Sequence, residues 1–253
     1  MLASKVALVT GGSRGIGAGI VRSFLREGAT VVYCGLPAHE PKEAAAARST
    51  FVPCDVSQPR DLERLVEGVL LAHGRLDVLV NNAGTHPPLK PIDDISLADF
   101  RALLDINLLP YFYSAKLALP ALRRVRGAIV NVSSMSGFFG QEGSCTYCAS
   151  KGAITAFTKG LAIDEAAHGV RVNALSPGNV WTPLWEEHVA GPDAAQHIAT
   201  GSSYQLLGRM GTEDEVGEAA LHLATATYTT GIEYLVSGGA ELGYAVKARS
   251  KGL

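Results

Sequence analysis

A short apolar run followed by three spaced glycines constrains the fold of this chain more than any other stretch. Val6-Ala-Leu-Val9 lacks polar alternation, which is typical of a strand buried on both faces. The glycines follow at positions 11, 15 and 17, and apolar residues then recur at helical spacing. A glycine turn between a strand and a helix lets the backbone approach a pyrophosphate, and it directs the helix N-terminus at the phosphates. The stretch predicts a nucleotide-binding unit; the alternative is an ordinary turn whose glycines serve backbone geometry alone.

The rest of the chain alternates between strand-like and helix-like segments. Apolar runs predict further strands at residues 30–34, 50–54, 76–80, 129–132, 169–175 and 232–236. Helical spacing predicts helices within 59–74, over 97–124 as one long helix, over 213–224, and a short alanine-rich helix within 37–49. Residues 186–208 are weakly patterned, and no linker or repeat interrupts the chain. We therefore expect one domain, 1–253, of the α/β class: a single doubly wound parallel sheet (Rossmann fold) with helices on both faces.

Composition and charge exclude several classes of function. Of the 253 residues, 47% are hydrophobic and 18% charged, which is an ordinary globular balance. A net charge of −2 without a basic cluster argues against nucleic acid as a partner. No apolar run approaches the roughly 18 residues that a membrane span needs, and the start lacks a signal-peptide pattern, so we expect a cytoplasmic protein. Cys145 and Cys148 have C-x-x-C spacing, but no second pair completes a metal site, so we expect no metal.

The end of the second predicted strand bears on cofactor choice. Folds that bind NAD usually place an acidic residue there for the ribose 2′-hydroxyl, whereas this chain has Gly35. Arg14 in the glycine turn is either a partner for a 2′-phosphate or a solvated loop charge. Asp55, after the third strand, is either an acceptor for the adenine amino group or a helix cap. NAD and NADP both remain open on these residues.

Tyr147 and Lys151 form the candidate catalytic pair. They are four residues apart in a predicted helix, so both side chains lie on one face. An ammonium beside a phenol favours the phenolate and lowers its pKa, which suits proton transfer. Ser134 would hold a substrate oxygen against the phenol, and Asn107, mid-helix, either holds a water next to Lys151 or is a satisfied core amide. Without these companions, an ordinary surface tyrosine and lysine would explain the pair.

Taken together, the motifs resemble the short-chain dehydrogenase/reductase family over nearly the whole chain. The residues that carry the resemblance are Thr10-Gly-Gly-Ser-Arg-Gly-Ile-Gly17, Asn81-Asn-Ala-Gly84, Asn107, Ser134, Tyr147, Lys151 and Ser176-Pro-Gly178. The resemblance implies an enzyme that transfers hydride from a secondary alcohol to a nicotinamide cofactor, with Tyr147 as general acid/base. It also implies a homotetramer, in which the tail near Tyr244 reaches a neighbouring active site. An NADPH-dependent carbonyl reductase is the alternative, followed by a non-catalytic nucleotide sensor.

The resemblance assigns residues to three roles. The catalytic residues are Asn107, Ser134, Tyr147 and Lys151. The cofactor-binding residues are Gly11, Arg14, Gly15, Ile16, Gly17, Asp55, Val56, Asn82, Ala83, Gly84, Tyr147, Lys151, Pro177, Gly178, Val180, Thr182 and Leu184. The substrate-binding residues are His86, Ser134, Gln141, Tyr147 and Trp185.

Details beyond the shared motifs are similar to a subgroup of the family that acts on 17β-hydroxysteroids and on L-fucose. That subgroup implies NAD, but its members carry aspartate where this chain has Gly35. The apolar residues Leu184 and Trp185 suit a steroid. His86 and Gln141 favour a sugar, because polar groups are costly to leave unpaired against an apolar ligand.

Overall fold

The structure, a computed structural model, describes residues 2–40, 47–189 and 191–242. Its centre is a seven-stranded sheet in the order β3-β2-β1-β4-β5-β6-β7, and every pairing of neighbouring strands is parallel. The strands are β1 Val6–Val9, β2 Thr30–Gly35, β3 Ser49–Pro53, β4 Val78–Asn81, β5 Ala128–Val132, β6 Arg171–Pro177 and β7 Glu233–Val236. The predicted doubly wound sheet is confirmed.

Helices cover both faces of this sheet. They are α1 Gly15–Arg26, α2 Pro59–His73, α3 Leu97–Asn107, α4 Leu109–Val125, α5 Ser136–Phe139, α6 Cys145–Glu165, α7 Pro183–Val189, α8 Ala194–Ser203 and α9 Glu213–Thr225. Alternate strand residues enter opposite cores, so Leu8 packs with α2, α4 and α6, while Ala7 and Val9 pack with α1 and α9. Both cores are apolar and mostly aliphatic, which explains why the strands read as continuous apolar runs.

The order of the strands reverses between β1 and β4, which are neighbours in space but far apart in sequence. Loops that leave the carboxyl ends of such strands diverge to opposite faces and open a crevice between them. Gly11 follows β1 and Asn82 follows β4, so the two motifs flank this crevice. The topology therefore forms a crevice beside the two motifs that the sequence predicted to bind a nucleotide.

One expectation about helices was wrong. The predicted long helix over 97–124 is two helices, α3 and α4, divided at Leu108, whose φ of −124° leaves the helical region. Pro110 explains the break, because a proline lacks the amide hydrogen that continues a helix and is accommodated in the first turn of a new one. The weakly patterned segment 186–208 contains most of α7 and all of α8; α8 buries only Gly201, so it has no clear apolar stripe.

Some of the predicted features lie partly or wholly outside the described residues. Residues Pro37–His39 form one 3₁₀ turn, and the alanine-rich segment 41–46 lies outside the described residues, as does Tyr244. The four cysteines are free thiols. Within the described ranges there is no helix long and apolar enough to span a membrane, and no group of three or more metal-ligating side chains.

Candidate active site

A cavity of about 490 Å³ opens at the crevice between the loops after β1 and β4. It is lined by segments that follow β1 to β5, by the first turns of α6, and by the start of α7. The predicted residues that line it are Gly11, Arg14, Gly15, Ile16, Gly17, Asp55, Val56, Asn82, Ala83, Gly84, His86, Tyr147, Lys151, Thr182 and Leu184. One cavity thus collects most of the predicted cofactor residues and the catalytic pair.

The floor of the cavity is backbone that tolerates no side chain. Gly11 and Gly15 have φ values of +63° and +59°, a region that residues other than glycine rarely adopt. A Cβ on Gly17 would overlap the carbonyl oxygen of Gly11, and a Cβ on Gly11 would lie 2.8 Å from the Cα of Ala83. The glycines therefore permit close packing of three segments and leave open the approach that a pyrophosphate needs.

Asn82 holds the glycine turn in place from the opposite side of the crevice. Its side-chain amide donates to the carbonyl oxygens of Thr10 and Gly11, each at 3.0 Å. In return, the Thr10 hydroxyl accepts from the backbone amides of Asn82 and Ala83 at 3.0 and 3.2 Å. These bonds pair the Asn82 side chain and the Thr10 hydroxyl with backbone groups. The motif after β4 therefore helps to fix the shape of the nucleotide cradle.

Tyr147 and Lys151 meet at the inner end of the cavity. The Lys151 ammonium is 4% exposed, donates to the carbonyl oxygen of Val132 at 2.9 Å, and lies 5.9 Å from the centre of the Tyr147 ring. Burial lowers the pKa of Lys151 to about 7. Burial also raises the pKa of Tyr147 to about 12, although a hydrogen bond with Ser134 works in the opposite direction. Tyr147 with this pKa is a phenol at neutral pH, and further positive charge is needed to ionise it.

A chain of buried polar groups fixes the strands and helices around this pair. The Asn81 amide donates to Asn131 at 2.9 Å and accepts from Ser114 of α4 at 2.6 Å, while Asn131 donates to Thr158 of α6 at 2.9 Å. Because these groups are fully buried, each is held to its partner by the cost of leaving it unpaired. This series of hydrogen bonds sets the register of α6 and thereby the position of Tyr147.

Asn107 lies at the end of α3, where the helix breaks. Its oxygen accepts from the backbone amide of Thr85 at 2.8 Å, and its nitrogen donates to the Thr85 carbonyl at 2.9 Å and to Ser150 at 3.3 Å. The side chain is thus satisfied by protein atoms and anchors the loop after β4. A Cβ on Gly84 would lie 3.2 Å from the Asn107 oxygen and 3.6 Å from the Lys151 nitrogen, so the two groups flank Gly84.

His86 and Gln141 form a polar rim beside the phenol. The His86 ring lies 4.2 Å from the Tyr147 ring, its Nδ1 is 2.7 Å from the carbonyl oxygen of Pro87, and its Nε2 is 3.3 Å from the Gln141 oxygen. Ser144 also approaches Nε2, at 3.4 Å. The predicted substrate residues His86, Gln141 and Tyr147 are therefore brought together, with Ser134 against the phenol.

Seven predicted residues lie outside the lining of the cavity: Asn107, Ser134, Gln141, Pro177, Gly178, Val180 and Trp185. Pro177 accepts from the amide of Met135, and Gly178 donates to Val236, so both join loops at the end of β6. Val180 pairs with Gly211. The Trp185 ring packs towards Gly201 of α8, where a Cβ would lie 2.7 Å from the ring. These residues shape the support of the site.

Several lining residues were not predicted. They are Ser13, Gly35, Leu36, His39, Cys54, Ser57, Thr85, Ile106, Val132, Ser133 and Pro183. Thr85 and Ser133 directly adjoin predicted motifs, and that adjacency was a usable signal. His39 and Ile106 reach the cavity only through the path of the chain, which no local pattern encodes.

The chain was compared with known proteins. A model of the short chain dehydrogenase family matches residues 5–193. The L-fucose dehydrogenase of Mus musculus is 52% identical, with 98% of this chain and 93% of that protein covered. A 3-alpha-(or 20-beta)-hydroxysteroid dehydrogenase of Mycobacterium tuberculosis is 35% identical over 96% of this chain and 92% of its own length.

Among solved structures, the ligand-free aldohexose dehydrogenase of Thermoplasma acidophilum matches with a TM-score of 0.89 and 32% identity, covering 95% of both chains. This chain belongs to the short-chain dehydrogenase family and is an NAD(P)-dependent oxidoreductase.

Proposed function

We propose that the protein oxidises a secondary hydroxyl group of a sugar such as L-fucose, with NAD⁺ or NADP⁺ as hydride acceptor and Tyr147 as general base. The observation that carries the proposal is the placement of Tyr147, with Ser134 bonded to it and Lys151 beneath it, at the inner end of a glycine-floored cavity. The sugar dehydrogenases among its relatives and structural neighbours support the substrate class.

The residues present fit a dinucleotide. The backbone of Gly11, Gly15 and Gly17 lines the cavity at the N-terminus of α1, where a pyrophosphate would bind. Thr182 and Leu184 line the opposite wall, where they would hold the nicotinamide. Lys151 has donors beyond its bond to Val132 with which it would hold the adjacent ribose. When bound, the oxidised nicotinamide supplies a hydride acceptor and a positive charge.

Three side chains would then share the chemistry. Ser134 holds the substrate oxygen against the phenol. Tyr147 removes the hydroxyl proton as the carbon–hydrogen bond breaks and the hydride leaves, so that a carbonyl forms and the phenol carries the proton. Lys151 favours the phenolate by its charge and fixes the cofactor ribose. Asn107 would hold Thr85 and His86 in place. We also propose that Asn107 supports a water molecule beside Lys151.

The rim of the cavity favours a sugar over an apolar alcohol. His86, Gln141 and Ser144 present ring nitrogens, an amide and a hydroxyl around the phenol. Hydroxyl groups of a sugar would form further hydrogen bonds with these groups, whereas a steroid skeleton would remove water from them without adding a hydrogen bond. A 17β-hydroxysteroid is the second candidate, supported by the apolar Leu184 in the lining and by the steroid dehydrogenase relative.

The homotetramer implied by the family resemblance belongs to the same proposal. Apolar side chains of α4 and α6 are exposed in the single chain, among them Phe112 at 52% and Ile163 at 77%. Apolar exposure on two long helices supports burial against further copies of the chain.

The test follows the absorbance of reduced nicotinamide with purified protein. L-fucose and estradiol are offered separately, each with NAD⁺ and with NADP⁺. We expect turnover of L-fucose with little on estradiol. Turnover of estradiol alone would replace the sugar by the steroid, and no turnover on either, with both cofactors shown to bind, would contradict the proposed substrate class.

A further inference from the structure

An ion pair joins the glycine turn to the helix that covers the cavity. The guanidinium of Arg14 donates to the carboxylate of Glu187 at 2.6 Å, across 173 positions of sequence. Arg14 lines the cavity, and Glu187 extends from α7, whose first residues also line it. The two side chains are 38% and 57% exposed, so solvent and small anions reach them.

Arg14 adjoins the part of the glycine turn that packs against the end of β2, near which the 2′ position of the adenosine ribose would lie. In folds of this type that position is read at the end of β2. Here β2 ends at Gly35, and a Cβ on Gly35 would overlap the hydroxyl oxygen of Ser13, which directly precedes Arg14 in the turn. The glycine turn is therefore packed against the end of β2, and Ser13 occupies the space that an acidic side chain would need.

Strand β2 provides no carboxylate at the position where the ribose 2′ group would lie. Among the described residues that line the cavity, Asp55 is the one acidic residue, and its Oδ1 accepts from the backbone amide and the hydroxyl of Ser57 at 3.0 and 2.8 Å. Arg14 is the one arginine among the described residues of the lining, which also include His39 at this end, and a guanidinium is suited to bidentate binding of a phosphate. Whatever occupies Arg14 therefore decides how well a 2′-phosphate is received.

We propose that Glu187 is a specificity-determining residue that disfavours a 2′-phosphate by holding Arg14. This inference rests on the proposed binding of a nicotinamide dinucleotide. A 2′-phosphate must displace the carboxylate from the guanidinium and then tolerate its negative charge nearby, whereas a 2′-hydroxyl requires neither. Glu187 thus supplies from α7 the discrimination towards NAD⁺ that an acidic residue at the end of β2 would otherwise provide.

The test measures the dissociation constants of NAD⁺ and NADP⁺ by isothermal titration calorimetry for Glu187→Gln. An exposed ion pair is worth up to about 1 kcal/mol, or about fivefold in affinity. We expect NADP⁺ to bind about three- to fivefold more tightly to the variant, with NAD⁺ changed by less than about 1.5-fold. Glu186→Gln is the matched control, because it removes the same charge from the neighbouring exposed position on α7.

A double variant identifies Arg14 as the partner. In Arg14→Gln, the further change Glu187→Gln should no longer improve the binding of NADP⁺. An unchanged ratio of the two dissociation constants in Glu187→Gln, equal weakening of both cofactors, or the same effect in Glu186→Gln would overturn the inference. Failure of the unaltered protein to bind either nucleotide would instead contradict the proposed function, so the two failures are distinguishable.

Discussion

The variant Lys151→Met should lose activity and gain stability. The ammonium of Lys151 is buried, and burial lowers its pKa from an ordinary 10.5 to about 7. Each tenfold change in a protonation equilibrium corresponds to about 1.4 kcal/mol, so at pH 7 the buried amine costs the folded state about 4 kcal/mol. Methionine has a similar length and no charge, and it removes this cost.

The gain in stability is reduced because the Lys151 ammonium also makes a favourable hydrogen bond. Its bond to the Val132 carbonyl is lost, and a charged hydrogen bond is worth about 1.5–3 kcal/mol. That carbonyl keeps a second donor, the Tyr111 hydroxyl at 3.0 Å, so it is not left unpaired. We therefore expect a net stabilisation of about 1–3 kcal/mol at pH 7, measured as a shift of the urea midpoint at fixed protein concentration.

The pH dependence gives the sharper test. The folded-state pKa of Lys151 is below the unfolded one, so the cost is fully present below pH 7 and is relieved as the pH rises from 7 towards 10.5. The stability advantage of the variant should shrink by about 2 kcal/mol between pH 7 and pH 9. A constant difference across that range, or a variant less stable than the unaltered protein at pH 7, would refute the reasoning. Turnover should fall by at least about 10²-fold.

Three further variants test the cradle and the opposite end of the sheet. Gly17→Ala places a methyl group against the Gly11 carbonyl and should weaken cofactor binding by more than about tenfold in calorimetric titration. Gly68→Ala in α2, where nothing lies within 4 Å, should raise stability by about 1 kcal/mol and leave cofactor binding unchanged. Equal effects of both variants on binding would contradict the role of the cradle. Burial would raise the pKa of Asp77, but hydrogen bonds from Arg75, Val6 and Lys5 outweigh it and lower the pKa. Asp77→Asn should therefore lower the free energy of unfolding by about 1–3 kcal/mol at pH 7 and leave kcat unchanged. The loss should become smaller in acid, where the native carboxylate is protonated below its ordinary pKa. A loss that does not diminish in acid would show that charge is not the cause.

The sequence was sufficient for the sheet and for the centre of the site because both depend on local patterns. Buried strands read as apolar runs, and the turn after β1 requires glycine at positions where φ is positive or a Cβ would collide. Tyr147 and Lys151 were placed together by helical geometry alone. These features need no knowledge of where distant segments lie.

The features that were missed depend on contacts between distant segments. The pair between Arg14 and Glu187 joins residues 173 positions apart, and each residue alone looks like a solvated charge. Asn107 was recognised as unusual, but its partner, the backbone of Thr85, is visible only once the loop after β4 is in place. The break at Leu108 had a local signal in Pro110, which the long apolar pattern of the segment obscured.

The central claim, that Tyr147 is the proton-transfer group, is tested by comparing Tyr147→Phe with Tyr111→Phe. Both tyrosines lie near Lys151, at 5.9 and 5.6 Å from ring centre to ammonium nitrogen, but Tyr147 lines the cavity, whereas the Tyr111 hydroxyl is buried and donates to Val132. With L-fucose and each nicotinamide cofactor, Tyr147→Phe should lose turnover by about 10²-fold or more while binding the cofactor nearly as well, and Tyr111→Phe should remain active. Turnover that survives in Tyr147→Phe would contradict the account.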